Sequence, residues 1–211
     1  MRTRPLRSGT AVPTASSKRL VAVALLFGAA GCSSADPGTA YPVQTAASAM
    51  SQAAKASDLP QRPADLSLAG LDPCDLLSQI QLDELQITGA PRKAADPQDG
   101  PTCVFDAGQA APFHAYHLRI VGADVQEWLT GARRKNSMTT APATVGGYPA
   151  ITNYRAAGTP SDCETLVGVA KGQTVAAQAF AVTAGADNQQ QLCDMSTHAA
   201  GLALQNLKSR S

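Results

Sequence analysis

Apolar residues change their spacing three times along the chain. From Leu20 to Ala30 they run unbroken as LVAVALLFGAA. From Ser33 to about Gln61 large apolar side chains almost vanish, and Ala, Ser, Gln, Thr, Pro and Gly replace them. Regular spacing begins at Leu66 and persists to Leu207. The first run has the length of a secretory h-region and falls well short of the roughly twenty residues a helix needs to cross a bilayer. The second cannot bury enough surface to offset its ordering entropy, which predicts a flexible tether over 32–65. The third predicts one domain over 66–211, large enough for a single core.

Within that domain Asp72-Pro73 opens a helix, with Asp72 as N-cap and Pro73 at the first helical position. Leu76, Leu77, Ile80, Leu82 and Leu85 supply its apolar side across two short pieces, and Gly89 is a natural stop. Thr102–Asp106 and His114–Val121 read as a strand pair, and Asp124 caps a helix carrying Val125, Trp128 and Leu129. Strand signals return at 150–154, 163–170 and 174–183, the last two joined by a turn at Lys171-Gly172. A final helix runs from about Asn188 to Lys208, with Leu192, Ala199, Leu202, Ala203 and Leu207 near one stripe. Short links between successive strands predict an α+β fold: a largely antiparallel sheet packed by N-terminal, middle and C-terminal helices.

Charge sharpens the picture of the first thirty residues. Arg2, Arg4, Arg7, Lys18 and Arg19 precede the apolar run, and no acid occurs before Asp36. Ala29, Ala30 and Gly31 then stand directly before Cys32. This junction resembles the lipobox of bacterial lipoproteins, in which the cysteine is diacylated and the bond before it is cut. Ala29 departs from the leucine preferred three residues before the cysteine. The expectation is a signal peptide over 1–31, lipidation at Cys32, and a lipid-anchored protein on the outer face of the cell membrane. Removing the five cations of the leader from the seventeen Lys and Arg leaves twelve against sixteen Asp and Glu, a net charge of −4. Such a domain has no footprint for nucleic acid. Its one basic cluster, Arg133, Arg134 and Lys135, suits a helix C-terminus, where cations complement the dipole. A contact with anionic lipid headgroups is the sharper alternative.

With Cys32 assigned to lipid, Cys74, Cys103, Cys163 and Cys193 remain, an even number in an oxidising compartment. Four cysteines allow three pairings. Sequential pairing, Cys74–Cys103 and Cys163–Cys193, joins the nearer neighbours and staples the first helix to the first strand and the last helix to a central strand. No CxxC spacing occurs, which argues against zinc and thioredoxin-like chemistry.

The run LAGLDPCDLLSQIQLDEL, then PTCVF, VGGYPA, SDCETLVGVAKGQ and the terminal LCDMSTHAAGLALQNL resembles a family of actinobacterial cell-envelope lipoproteins, domain of unknown function 3558. The resemblance spans Leu68 to Leu207, and its Asp-Pro-Cys-x-Leu-Leu opening is the most distinctive part. It implies an acylated anchor, two disulfides and a compact α+β domain. It brings no activity and no site residues.

Candidate chemistry is sparse. His114 and His117 form an HxxH on a strand, where residues three apart face opposite sides and cannot share a metal. His198 stands on the final helix with no free cysteine to serve it, and no GxSxG, HExxH or phosphate-binding glycine loop occurs. Asp72 and Asp75 suit a helix start, and Gly146-Gly147 before Tyr148-Pro149 suits a turn. No catalytic residue, metal ligand or cofactor is therefore assigned. The sequence points to a non-enzymatic binding module whose partner is a small hydrophobic ligand, a glycan or another envelope protein. The contact would use the sheet surface left uncovered by helices, where Ala176, Ala177, Ala179 and Ala181 leave little relief. The alternative is a small envelope hydrolase.

Overall fold

The alternating segments after residue 66 pair into a single antiparallel sheet of seven strands. A computed structural model describes residues 59–96 and 99–211; the leader, Cys32 and the tether as far as residue 58 lie outside the described residues. The strands are β1 (Arg92–Asp96), β2 (Gly100–Ala107), β3 (His114–Val121), β4 (Met138–Val145), β5 (Tyr148–Arg155), β6 (Asp162–Ala170) and β7 (Gln173–Ala181), with three helices, α1 (Gln79–Glu84), α2 (Glu127–Thr130) and α3 (Gln189–Ser209). Their order in the sheet is β1-β2-β3-β7-β6-β5-β4. Two meanders, one of three strands and one of four, are thus joined where β3 lies beside β7. The fold is mainly sheet.

Alternation along each strand divides the sheet into two faces. One face carries Cys103, Phe105, Tyr116, Leu118, Val167, Val175, Ala177 and Ala179, which pack with Ala199, Ala203, Leu204 and Leu207 of α3. Asn188 caps α3 by accepting a hydrogen bond from Gln191 N, and the Gln191 side chain answers the Asn188 backbone. The alanines of β7 therefore serve close helix packing: Ala177 and Ala179 lie under α3, and Ala176 faces the opposite layer. That opposite layer is smaller. Ala123, Val125, Trp128 and Leu129 from the β3–β4 connection join Val121 of β3 in covering Ile151, Leu166 and Ala176, with Leu59 packed alongside. Gly168 permits this approach, because a Cβ there would meet Val125 Cγ1 at 2.7 Å. The rest of this second face carries no helix among the described residues.

The first helical segment forms as two pieces, a 3-10 turn at Pro73–Asp75 capped by Asp72 and then α1. None of the α1 residues is buried, and Ile80, expected on its apolar side, is 79% exposed. Packing at this end comes from Leu66, Leu68, Leu76, Leu77 and Leu85, which flank the helix. Cys74 is bonded to Cys103 of β2, and Cys163 of β6 to Cys193 of α3. Each bridge ties a helical element to the sheet.

Three local expectations are corrected. β1 and β4 were not expected: β1 is exposed along its length where its side chains are described, and β4 buries only Val145. Both are edge strands, and an edge strand that buries little leaves no apolar alternation to read. Asp124 does not cap α2; its carboxylate accepts from Gly172 N at 2.8 Å, bracing the β6–β7 turn instead. Nor do Arg133, Arg134 and Lys135 end a helix, since α2 stops at Thr130 before Gly131, whose φ of 122° few other residues adopt.

Candidate functional site

The three histidines are dispersed. His114 faces the α3 side, with Nε2 2.9 Å from Asp187 Oδ2. His117 is on the other face, its ring centroid 4.4 Å from that of Phe180. His198 sits on the outer surface of α3, with Nε2 3.0 Å from Glu84 Oε1 and both side chains about half exposed. That pair lies in a shallow groove with Asp194 and Thr197. The Thr197 hydroxyl is taken up by Thr165 Oγ1 at 3.0 Å. Gly146-Gly147 forms the tight β4–β5 turn, both with positive φ, and Lys208 Nζ donates to Gly146 O at 2.9 Å. Among the described residues no group of three His, Cys, Asp or Glu stands together to hold a metal ion.

Strand register assembles something the linear order hides. His117, Gln178, Glu164, Asn153 and Thr140 lie directly opposite one another on β3, β7, β6, β5 and β4, a polar row crossing the second face. Thr140 Oγ1 donates to Asn153 Oδ1 at 3.0 Å, and Asn153 Nδ2 to Glu164 Oε2 at 3.5 Å. Arg119, one step along β3, donates from Nη2 to Glu164 Oε1. Arg119 and Glu164 are each only 7% exposed. A buried carboxylate held by a guanidinium and an amide is fixed in orientation.

His117 lies in this row with its imidazole pKa below the ordinary value of 6.5, first through burial and then through Arg119 and Arg92, with Asp106 opposing. The unfolded chain therefore takes up the proton at higher pH than the folded one does. Stability should fall as pH drops through the range near 6.5 towards the lower folded value. The variant His117→Phe should flatten that part of a thermal-denaturation profile measured between pH 7 and 5. An unchanged pH profile would show that His117 is not the group responsible.

Beside this row a cleft of about 570 Å³ opens between Glu164 on the sheet and the segment after α2. Glu127, Trp128 and Asp99 form its walls, and Arg133, Arg134 and Lys135 complete the lining. Arg133 is the organising side chain. Its Nη1 donates to Asp99 Oδ1 at 2.8 Å, its Nε lies 3.5 Å from Glu127 Oε2, and its guanidinium sits 5.0 Å from the Trp128 ring centroid. Such a cleft can receive a polar or charged group; its lining does not suit a wholly apolar one. Sequence reasoning singled out the basic trio and Trp128 separately but missed Arg119, Asn153 and Glu164. The available signal was a charged Glu164 within the largely apolar strand 163–170.

An antiparallel sheet backed on one face by a long disulfide-tied helix, with a charged cleft on the other, defines the class as a small disulfide-stapled domain. The chain belongs to the family described as "Protein of unknown function (DUF3558)", whose model matches residues 27–206. No curated protein and no solved structure matches the chain.

Proposed function

We propose that this is an exported, lipid-anchored binding module of the bacterial cell envelope, held to the outer face of the membrane through Cys32 and working without catalysis. The observation that carries the binding reading is the Trp128 cleft. Its carboxylates Asp99, Glu127 and Glu164 are each paired with an arginine, while Arg134 and Lys135 stand exposed at its edge, which makes a preformed receptacle for a polar group. Export and anchoring are supported by the basic leader, the short apolar run and the Ala-Ala-Gly-Cys junction. The family match itself begins at residue 27, five residues before Cys32, and so includes that junction. Two disulfides also suit an oxidising compartment.

Replacing Cys32 by Ser should abolish acylation and block cleavage before residue 32. Metabolic labelling with a fatty-acid analogue, followed by membrane fractionation, reads both. Undiminished labelling in the variant would remove the anchor from the proposal.

One observation favours a second reading, a small envelope hydrolase: His198 and Glu84 do meet, in a groove that also holds Asp194. Against it, both members are about half exposed, so water screens the pair, and the nearby Thr197 hydroxyl is engaged with the sheet. Turnover of envelope lipids or glycans that survives purification and disappears in His198→Ala would establish this reading in place of the first.

A further inference from the structure

We propose that the Trp128 cleft docks the phosphodiester headgroup of an anionic phospholipid, supplied by the membrane to which the chain is tethered. The proposal deepens the binding reading and takes its source of ligand from the lipid anchor. Charge is the first support. Asp99 and Glu127 are engaged by Arg133, and Glu164 by Arg119. Arg134 and Lys135 are exposed at the cleft and, among the described residues, form no ion pair. Among the described residues four cations thus meet three carboxylates here, in a chain that carries −4 once its leader is removed. An anionic membrane repels most of such a domain and attracts this edge of it.

Position is the second support. Leu59 packs against the same cluster as Trp128, so the chain leading back to Cys32 departs from the layer that walls the cleft. Leu59 lies 27 positions after Cys32. Fully extended, this stretch reaches at most about 95 Å, so the anchor keeps the cleft within that distance of the headgroups. Pre-ordering is the third. The Arg133 guanidinium is already held by two carboxylates and the indole, so little side-chain entropy remains to be lost when a phosphate arrives. The lining is charged and polar and so suits the headgroup, while the acyl tails would stay in the bilayer. The domain docks on the lipid and does not extract it.

Trp128 is the only tryptophan in the chain, so its fluorescence reports on this cleft alone. The test titrates the full-length chain with dihexanoyl phosphatidylglycerol below its micellar concentration. Dihexanoyl phosphatidylcholine and inorganic phosphate serve as the other arms. The expected result is a saturable change with phosphatidylglycerol that weakens as salt is raised. It should weaken severalfold or more in the R134A/K135A double variant, which removes the two exposed cations of the cleft. Because both residues are exposed, the variant should keep its far-UV circular dichroism, and the salt dependence of the native chain gives an independent reading. A response that is equal for phosphatidylcholine, or that survives both high salt and the double variant, would overturn the proposal. Equal affinity for inorganic phosphate would overturn the lipid source and leave a small-anion site. These probes are soluble, so the cleft can succeed or fail whether or not Cys32 is acylated.

Discussion

A chain in which Cys74, Cys103, Cys163 and Cys193 are all replaced by Ala should be marginal or unfolded at 37 °C. The bridges close loops with sequence separations of 29 and 30 residues. The chain-entropy model assigns about 3.6 kcal/mol to each such loop, as an upper guide. Domains of this size are typically stable by about 5–15 kcal/mol, so two bridges supply a large share of the total. The two bridges also act at different places. Cys163–Cys193 holds the N-terminal part of α3 against β6, whereas Cys74–Cys103 holds the 3-10 turn against β2. Each pairwise Cys→Ala variant should therefore lose roughly half of the full effect in chemical denaturation. Mapping the peptides of unreduced protein checks the pairing, and a Cys103–Cys163 peptide would refute it. A fully substituted chain with unchanged denaturation midpoint would refute the stability claim.

The second large effect concerns the buried ion pair under the cleft. Glu164→Leu alone takes the carboxylate from the buried Arg119 guanidinium, and Arg119→Met alone takes the guanidinium from Glu164. Removing one member of such a pair typically costs about 3–5 kcal/mol, because the remaining charge is desolvated and uncompensated. Replacing both by apolar residues of similar size, R119M/E164L, should restore most of that loss, since well-packed apolar pairs often equal or exceed buried ion pairs in stability. Urea denaturation of the four proteins of this cycle gives the coupling directly. A double variant as unstable as the sum of the singles would mean that the two residues act separately. If the double variant folds well yet fails to bind, the pair is retained for the shape and charge of the cleft floor rather than for stability.

The parts of this fold legible in the linear sequence are those whose side chains are buried in a regular rhythm. α3 was legible from its apolar stripe, and β6 and β7 from their dense apolar runs around a Gly turn. The edge strands were not, because β1 and β4 expose most of their described side chains and so lack the period-two signal. The middle helix was overestimated for a related reason. Val125, Trp128 and Leu129 are buried as helix periodicity would require, but they form a short irregular layer on the sheet in which only Glu127–Thr130 is helical. The cleft depends on register. Arg119, Glu164 and Asn153 occupy three separated strands, and only the pairing of β3 with β7, β7 with β6 and β6 with β5 brings them into one network. A single residue of slip would send Glu164 to the α3 face. Single charged residues in apolar strands were the visible trace, but their mutual distances are a property of the folded sheet.

Native mass spectrometry of the protein released gently from its own membrane tests the central claim most directly, because one spectrum reports both the anchor and the occupant. The expected species begins at Cys32 with a diacylglyceryl adduct and carries a non-covalent anionic phospholipid that dissociates on collisional activation and is depleted in R134A/K135A. A chain that retains residues 1–31, bears no lipid on Cys32 and arrives without a bound partner would contradict the account.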